Sequence, residues 1–343
     1  MRLPAMQARH IPSTLHTGGI SMHKIPVIFD CDPGLDDAMA LMLACASEEL
    51  DIKAVTTVCG NARLTHTTQN ALNILAFLGR PDIPVAAGAA QPILQPLCCA
   101  AHVHGETGLG RVQLPTSPQN ASELSACQMM AAVVEQSHVP VTLVATGPCT
   151  NVAAFLLSYP YLSGKIERIS VMGGGFRFGN AGPVAEFNFL CDPEAAQIVL
   201  QSGIHVDLYG LDVTHRAMVL REEYELFREA GDEISAFAAE VLNSYDEHYG
   251  ADGGGRLPGC PLHDACAVAG LLAPRLFEYH ACTAQVDLDG HHTRGSASID
   301  LRCEPLRSYP YNAQVAMNVE RRPFVRLLLQ AAQHLAERKG ATA

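Results

Sequence analysis

An α/β fold with an open, mostly parallel central sheet flanked by helices is predicted for this 343-residue chain by three observations. From residue 25 to about residue 210, short apolar runs alternate with helix-length patterns, the signature of βαβ units. Polar residues recur just after the apolar runs, on the rim where open parallel sheets bind ligands. No Pro/Ser-rich linker, composition break or internal repeat divides the chain, so residues 23–343 read as one domain.

The elements follow in order. KIPVIF makes Ile25–Phe29 a buried strand, and Asp36–Glu48 is a helix. Strand Ile52–Val58, helix Thr65–Leu78 and the short strand Pro84–Ala86 come next. Helix Ser122–Gln136, strand Val141–Ala145 and helix Thr150–Ser158 continue the alternation, then strand Ile166–Met172, helix Pro193–Ser202 and strand His205–Tyr209. The later part is more helical, over Arg221–Tyr249 and Asp264–Leu272. Strands near Thr283–Asp287 and Gln314–Val319 and a terminal helix from Pro323 close the chain. Residues 1–22 lack periodicity and the apolar core of a secretory signal, and read as a disordered extension.

Charge excludes two partner classes. With 23 Lys+Arg against 35 Asp+Glu, the net charge is −12, and no basic run exists to meet a nucleic acid or an anionic membrane. No apolar stretch reaches the ~18 residues of a membrane span. The 12 cysteines show neither CxxC nor zinc spacing, which suits reduced thiols in a cytoplasmic protein.

FDCDPGLDDA places Asp30, Asp32, Asp36 and Asp37 at the end of the first strand. Asp36 and Asp37 also suit the positive end of the following helix. Asp30 and Asp32 have no such excuse, and like charges this close need a cation or a proton. A hard divalent ion such as Ca2+, with ~6–8 oxygen ligands, fits the cluster. DxD after a strand also marks haloacid-dehalogenase-like phosphohydrolases, in which Asp30 would be the nucleophile. Here Pro33-Gly34-Leu35 follow, and the central sequence offers only Lys165 for a phosphate.

Further along, GGGFRFG (residues 173–179) misses the GxGxxG dinucleotide loop at Phe178 and reads as a tight turn. GNAGPVAEFN (residues 179–188) carries Asn180, Glu186 and Asn188; an extended backbone would put Glu186 and Asn188 on one side. HVHGETG brings two histidines, and LHDA sets His263 and Asp264 at a helix start, where Asp264 could equally be an N-cap. Asp212 and Thr214 follow the strand that ends in DLYGL.

DCDPGLDDA, TTVCGN, HVHGETGLG, LVATGPCTN, VMGGG, GNAGPVAEFNFLCDPEAA, LYGLDVT and LHDACAVA, in that order, resemble the inosine–uridine-preferring nucleoside hydrolases. The resemblance implies a Rossmann-like core and Ca2+-dependent cleavage of the N-glycosidic bond of ribonucleosides. By position it implies that Asp32, Asp37 and Asp264 side chains and the Thr146 carbonyl hold Ca2+, with Asp32 taking the proton of the attacking water. Asp36, Asn61 and Asn188 would hold the ribose hydroxyls, and Asn180 and Glu186 the 5′-hydroxyl end. His263 and His104 would stand near the leaving base. Tyr245 and Tyr249 would lie on a closing segment, here followed by Gly253-Gly254-Gly255. Such cleavage builds positive charge on the sugar, which surrounding carboxylates stabilise, and the same acids would repel a 5′-phosphate. Purine-specific relatives stack the base on tryptophans, and this chain has none, so a pyrimidine or broad inosine–uridine preference is expected. A homodimer or homotetramer is expected as well. A phosphohydrolase and a non-catalytic nucleoside-binding protein are the alternatives that an assay of ribose release separates.

Overall fold

The computed structural model describes residues 24–252, 257–303, 306 and 309–342. The expected N-terminal extension, residues 1–22, lies outside them. The strands are β1 (Ile25–Cys31), β2 (Leu50–Thr57), β3 (Val85–Ala87), β4 (Val141–Ala145), β5 (Ile166–Met172), β6 (Val206–Tyr209), β7 (Met218–Leu220), β8 (Gly259–Pro261), β9 (Phe277–Val286), β10 (Ala297–Asp300) and β11 (Ala313–Val319). One nine-stranded sheet runs β10-β9-β11-β6-β5-β4-β1-β2-β3. It is parallel from β3 to β11, and only β9 and β10 run antiparallel to their neighbours. The expected mostly parallel, helix-flanked sheet is therefore present.

Burial on both faces explains why the strands are unbroken apolar runs. Along β1, Val27, Phe29 and Cys31 enter one core cluster with helices Leu35–Ala46, Glu233–Asp252, His263–Leu272 and Arg321–Thr342. Ile28, between them, enters the opposite cluster with helices Ala126–Gln136, Thr150–Ser158 and Pro193–Leu200. Every residue of helix Leu35–Ala46 is buried, so its apolar character all round is a packing requirement.

Topology places the site. From β1 the chain moves outward to β2 and β3, then returns to the other side of β1 as β4. Asp30 pairs with Ala145 across that seam, so the residues just beyond, Asp32 and Thr146, meet at a switch point in strand order. Ligands bind in such crevices at the carboxyl ends of strands.

Several expectations need correction. The helical stretch expected over Arg221–Tyr249 is divided into two helices, Tyr224–Glu229 and Glu233–Asp252. Gly231 takes φ +76° at the break, and Asp232 accepts the Ser235 N–H at 2.7 Å to start the second helix. The antiparallel β7–β8 ribbon, edge strand β10 and the short helices Ala101–His104, Phe187–Cys191 and Leu211–Thr214 were not expected. No helix among the described residues is long and apolar enough to cross a membrane.

Candidate active site

A cavity of about 920 Å³ opens at the carboxyl ends of the central strands. Asp36, Asn61, His104, Thr146, Asn180, Glu186, Asn188, Tyr245, His263 and Asp264 all line it. Residues up to 228 positions apart in sequence (36 to 264) thus converge where the sheet topology puts its crevice. Asp32 and Asp37 lie beneath this wall, both fully buried.

The floor is a nest of carboxylates. Ligand oxygens of Asp36, Asp37 and Asp264 lie within 4.8 Å of one another. Asp37 is held from three sides: its Oδ2 accepts Gly34 N–H and Asn61 Nδ2–H, each at 3.0 Å, and its Oδ1 accepts the Thr146 hydroxyl at 2.8 Å. Asp32 stands outside that closest group. Its Oδ2 accepts the Asn61 N–H at 2.6 Å, and a Cβ on Gly60 or Gly147 would sit 2.0 or 2.5 Å from its carboxylate oxygens. Glycine at both places is what allows the backbone to close on Asp32. Asp32 Oδ1 and Asp36 Oδ1 are buried without a hydrogen bond.

These groups cannot all be charged by themselves. Burial, then the charge of Asp37, lifts Asp32 well above the usual carboxylate range. The same two causes push Asp36 up to about 8. Burial followed by Asp36, Asp37 and Asp32 raises Asp264 strongly, and burial raises Asp37. An all-oxygen donor set with unused buried lone pairs fits a hard divalent cation. The expected Thr146 carbonyl accepts Asn188 Nδ2–H at 2.7 Å, which orients it beside the cluster. Asp264 is the second residue of helix His263–Leu272, and Leu262 takes the N-cap position, so the capping role is not realised.

Asp30 turns away. Its Oδ1 accepts the Thr56 hydroxyl at 2.6 Å and Asn151 Nδ2–H at 2.8 Å, tying β1 to β2 and to helix Thr150–Ser158. It does not line the cavity, and no Lys or Arg does among the described residues. A phosphohydrolase needs both an accessible nucleophile there and a cation for the phosphate.

At the other end of the floor, Glu186 is not on an extended segment. It caps helix Phe187–Cys191, accepting the N–H groups of Asn188 at 2.9 Å and Phe189 at 3.1 Å, with Gly174 N–H at 2.8 Å. The helix brings Asn188 beneath the cavity, and Asn180 accepts the Phe187 N–H at 2.9 Å to close the loop. Burial pushes Glu186 up to about 7 against these hydrogen bonds. The glycine run 173–175 leaves β5 as irregular backbone rather than the expected tight turn, with Gly174 at φ +70° and a bend only at Phe176–Arg177. Asp212 secures it by accepting Phe176 N–H at 2.9 Å and does not line the cavity.

The far wall is aromatic. His104 accepts the Leu35 N–H through Nδ1 at 3.1 Å and stacks on Tyr245 at 5.4 Å. The Tyr245 hydroxyl donates to Asp36 Oδ2 at 3.4 Å. His263 Nδ1 is 2.7 Å from the Thr214 hydroxyl. Burial, reinforced by His215 and His104, holds the His263 ring well below its usual pKa. It is therefore a neutral imidazole near neutral pH rather than the group titrating near pH 7 that its residue type suggests. Tyr249 belongs to helix Glu233–Asp252, but its side chain and Gly253-Gly254-Gly255 lie outside the described residues.

Two wall residues escaped the sequence reading. His215 lies 5.4 Å from His263 and 4.9 Å from Phe178, and burial pushes it down to about 4. Phe178 was noticed only as the residue that spoils a glycine motif. The position of His215, immediately after the rim residue Thr214, was the available signal.

Comparison with known proteins identifies the family. Residues 27–326 match the family model described as inosine-uridine preferring nucleoside hydrolase. The pyrimidine-specific ribonucleoside hydrolase RihA of Salmonella newport is 45% identical over 91% of this chain and 99% of its own length. RihA of Citrobacter koseri is 45% identical over 89% and 97%. Among solved structures, the purine-preferring ribonucleoside hydrolase from Gardnerella vaginalis superposes with a TM-score of 0.84 at 32% identity, covering 91% of this chain and 99% of that one. The chain belongs to the inosine-uridine preferring nucleoside hydrolase family, enzymes that split ribonucleosides at the N-glycosidic bond.

Proposed function

We propose that this hydrolase cleaves pyrimidine ribonucleosides, with inosine as a second substrate, using Ca2+ as its resident cation. The observation that carries the reading is the cavity wall: buried carboxylates and histidines with no Lys or Arg among its described residues. A wall of that sign suits a sugar that becomes cationic as the base leaves.

Asp32, Asp37 and Asp264, with the Thr146 carbonyl, would hold the cation, and Asp36 stands close enough to join them. A bound Ca2+ supplies Lewis acidity, lowering the pKa of water and gripping vicinal hydroxyls. Asp32 would accept the proton of the attacking water, from a carboxylate on which Gly60 and Gly147 close. Asn61, Asp36 and Asn188 orient the 2′- and 3′-hydroxyls, and Asn180 and Glu186 the 5′-hydroxyl. His263, neutral, donates a hydrogen bond to the departing base, with His104 and Tyr245 lining the same side. The lack of any Trp and the names of the 45%-identical relatives support the pyrimidine preference. The enzyme is read as a cytoplasmic homodimer or homotetramer. Its 12 free cysteines suit a reducing compartment, and light scattering tests the assembly.

Release of ribose from uridine, cytidine, inosine and adenosine, with uridine 5′-phosphate and p-nitrophenyl phosphate alongside, tests the reading. Uridine or cytidine should give the highest kcat/KM, with both phosphates inert. A purine nucleoside preferred over both pyrimidines would overturn it.

A further inference from the structure

Thr214 has no part in the roles above, yet it sits at the rim of β6 and touches the cavity's chemistry. It is fully buried, at 0% exposure, on the short helix Leu211–Thr214. The backbone there is pinned: Leu211 N–H donates to the Gly174 carbonyl at 2.9 Å and Thr214 N–H to the Gly210 carbonyl at 3.0 Å. The side-chain oxygen is thus delivered to one place, 2.7 Å from His263 Nδ1.

The direction of that hydrogen bond follows from counting donors. The hydroxyl has one proton and two lone pairs. Among the described residues, His263 Nδ1 is the acceptor it reaches. If the ring donated instead, the hydroxyl proton would be buried without an acceptor, which costs more than an idle lone pair. The hydroxyl therefore donates to Nδ1. In a neutral imidazole the ring proton then resides on Nε2, because the bond made by one nitrogen decides the state of the other.

His104 provides an internal comparison. Its Nδ1 accepts from the Leu35 backbone N–H at 3.1 Å, a group that can only donate. That ring carries its proton on Nε2 when neutral, and both rings line the same cavity. A backbone amide sets one tautomer and a side-chain hydroxyl sets the other.

We propose that Thr214 is a positioning residue for the reaction: by donating to Nδ1 it presents the Nε2–H of His263 to the leaving base. The opposite tautomer would turn a lone pair towards the carbonyl oxygens of a departing uracil, where repulsion replaces the hydrogen bond that steadies the negative charge growing there; the proton stays on Nε2 throughout. The assignment rests on the role proposed for His263. No atom of Thr214 reaches the substrate; its effect passes through the ring.

The test uses the full-length enzyme loaded with Ca2+, in three variants, with uridine and p-nitrophenyl riboside as substrates. Thr214→Val keeps the shape and removes the hydroxyl, Thr214→Ser keeps the hydroxyl, and His263→Ala removes the ring. Thr214→Val should lower kcat for uridine by about 10-fold or more, a fraction of what losing one donor to developing charge costs. KM should stay within about twofold, and p-nitrophenyl riboside turnover, which needs no protonation, should persist and report an intact fold. Thr214→Ser should recover most of the uridine rate. In 15N-histidine NMR spectra, His263 should change from the Nε2–H form in the parent towards the Nδ1–H form in Thr214→Val. If His263→Ala spares p-nitrophenyl riboside while Thr214→Val slows both substrates alike or leaves the tautomer unchanged, the Thr214 assignment alone is wrong. If His263→Ala slows both substrates equally, the histidine reading fails and the Thr214 proposal fails with it.

Discussion

The two ends of the cavity are built by different means. At the carboxylate end, Asp32 and Asp37 take hydrogen bonds from the backbone of Asn61 and Gly34, and two glycines close on Asp32. At the base end, His263 depends on a hydroxyl, and His104, Tyr245, His215 and Phe178 depend on ring contacts between separate elements. Sugar activation is common to every ribonucleoside, and backbone groups can hold it without reference to the base. On the proposed reading, recognition of the base rests on side chains that can change singly without disturbing the floor. Charge divides the same way: the floor holds acids that burial makes costly to ionise, and the wall holds imidazoles that burial keeps neutral.

Removing the cation should break the floor most completely. Cation-free enzyme should show no ribose release until Ca2+ is restored; full activity in protein shown metal-free by elemental analysis would rule out the cation role. Stability should report the same site. In the fold Asp36 titrates at about 8, against about 4 in an unfolded chain. Between those values the folded protein binds more protons than the unfolded one, so cation-free stability falls as pH rises. The gain in Tm on adding Ca2+ should accordingly be larger at pH 8 than at pH 5, and equal gains would dissociate the cluster from the ion.

Asp32→Asn should lower kcat by at least ~10²-fold, the low end for loss of a general base; a near-normal kcat measured on uridine would remove Asp32 from that role. 2′-Deoxyuridine should be cleaved ~10²-fold or more slowly than uridine in kcat/KM, because polar groups meant for the hydroxyl are left unmatched. Equal values would show that the floor does not grip that hydroxyl. Tyr245→Phe should have the smallest effect. Its hydroxyl meets Asp36 at only 3.4 Å, so a change within about threefold in kcat is expected. A loss rivalling that of Asp32→Asn would move Tyr245 from the wall into the floor.

The same division governs what could be read from the chain. The parallel strands were legible because burial on both faces forces unbroken runs such as KIPVIF and VTLVA. Part of the floor was legible because Asp32, Asp36 and Asp37 lie within one short segment and no ordinary packing role accounts for Asp30 and Asp32 together, whereas Asp264 joins them from far along the chain. Even so, proximity in sequence misled at Asp30, which serves Thr56 and Asn151 instead of the cavity. The segment ending in Glu186 and Asn188 was misjudged because a carboxylate that caps a helix resembles one on a strand until its N–H partners are known. Gly231-Asp232 did signal a helix break, as a glycine terminator followed by an N-cap, but the apolar pattern on either side masked it. The wall was least legible. His215 and Thr214 gain their meaning only from His263, nearly fifty residues away in sequence and 2.7 Å away through the Thr214 hydroxyl.

The separation of floor from wall is tested most directly by crossing two variants with two substrates. If the proposed roles hold, uridine needs both ends of the cavity, and p-nitrophenyl riboside, whose phenolate leaves without protonation, needs only the floor. Asp32→Asn should slow both substrates by similar factors of at least ~10². His263→Ala should slow uridine by a comparable factor and leave p-nitrophenyl riboside within about threefold of the parent enzyme. Equal slowing of both substrates by His263→Ala would contradict the account, making His263 a support for its neighbour Asp264 and a part of the floor.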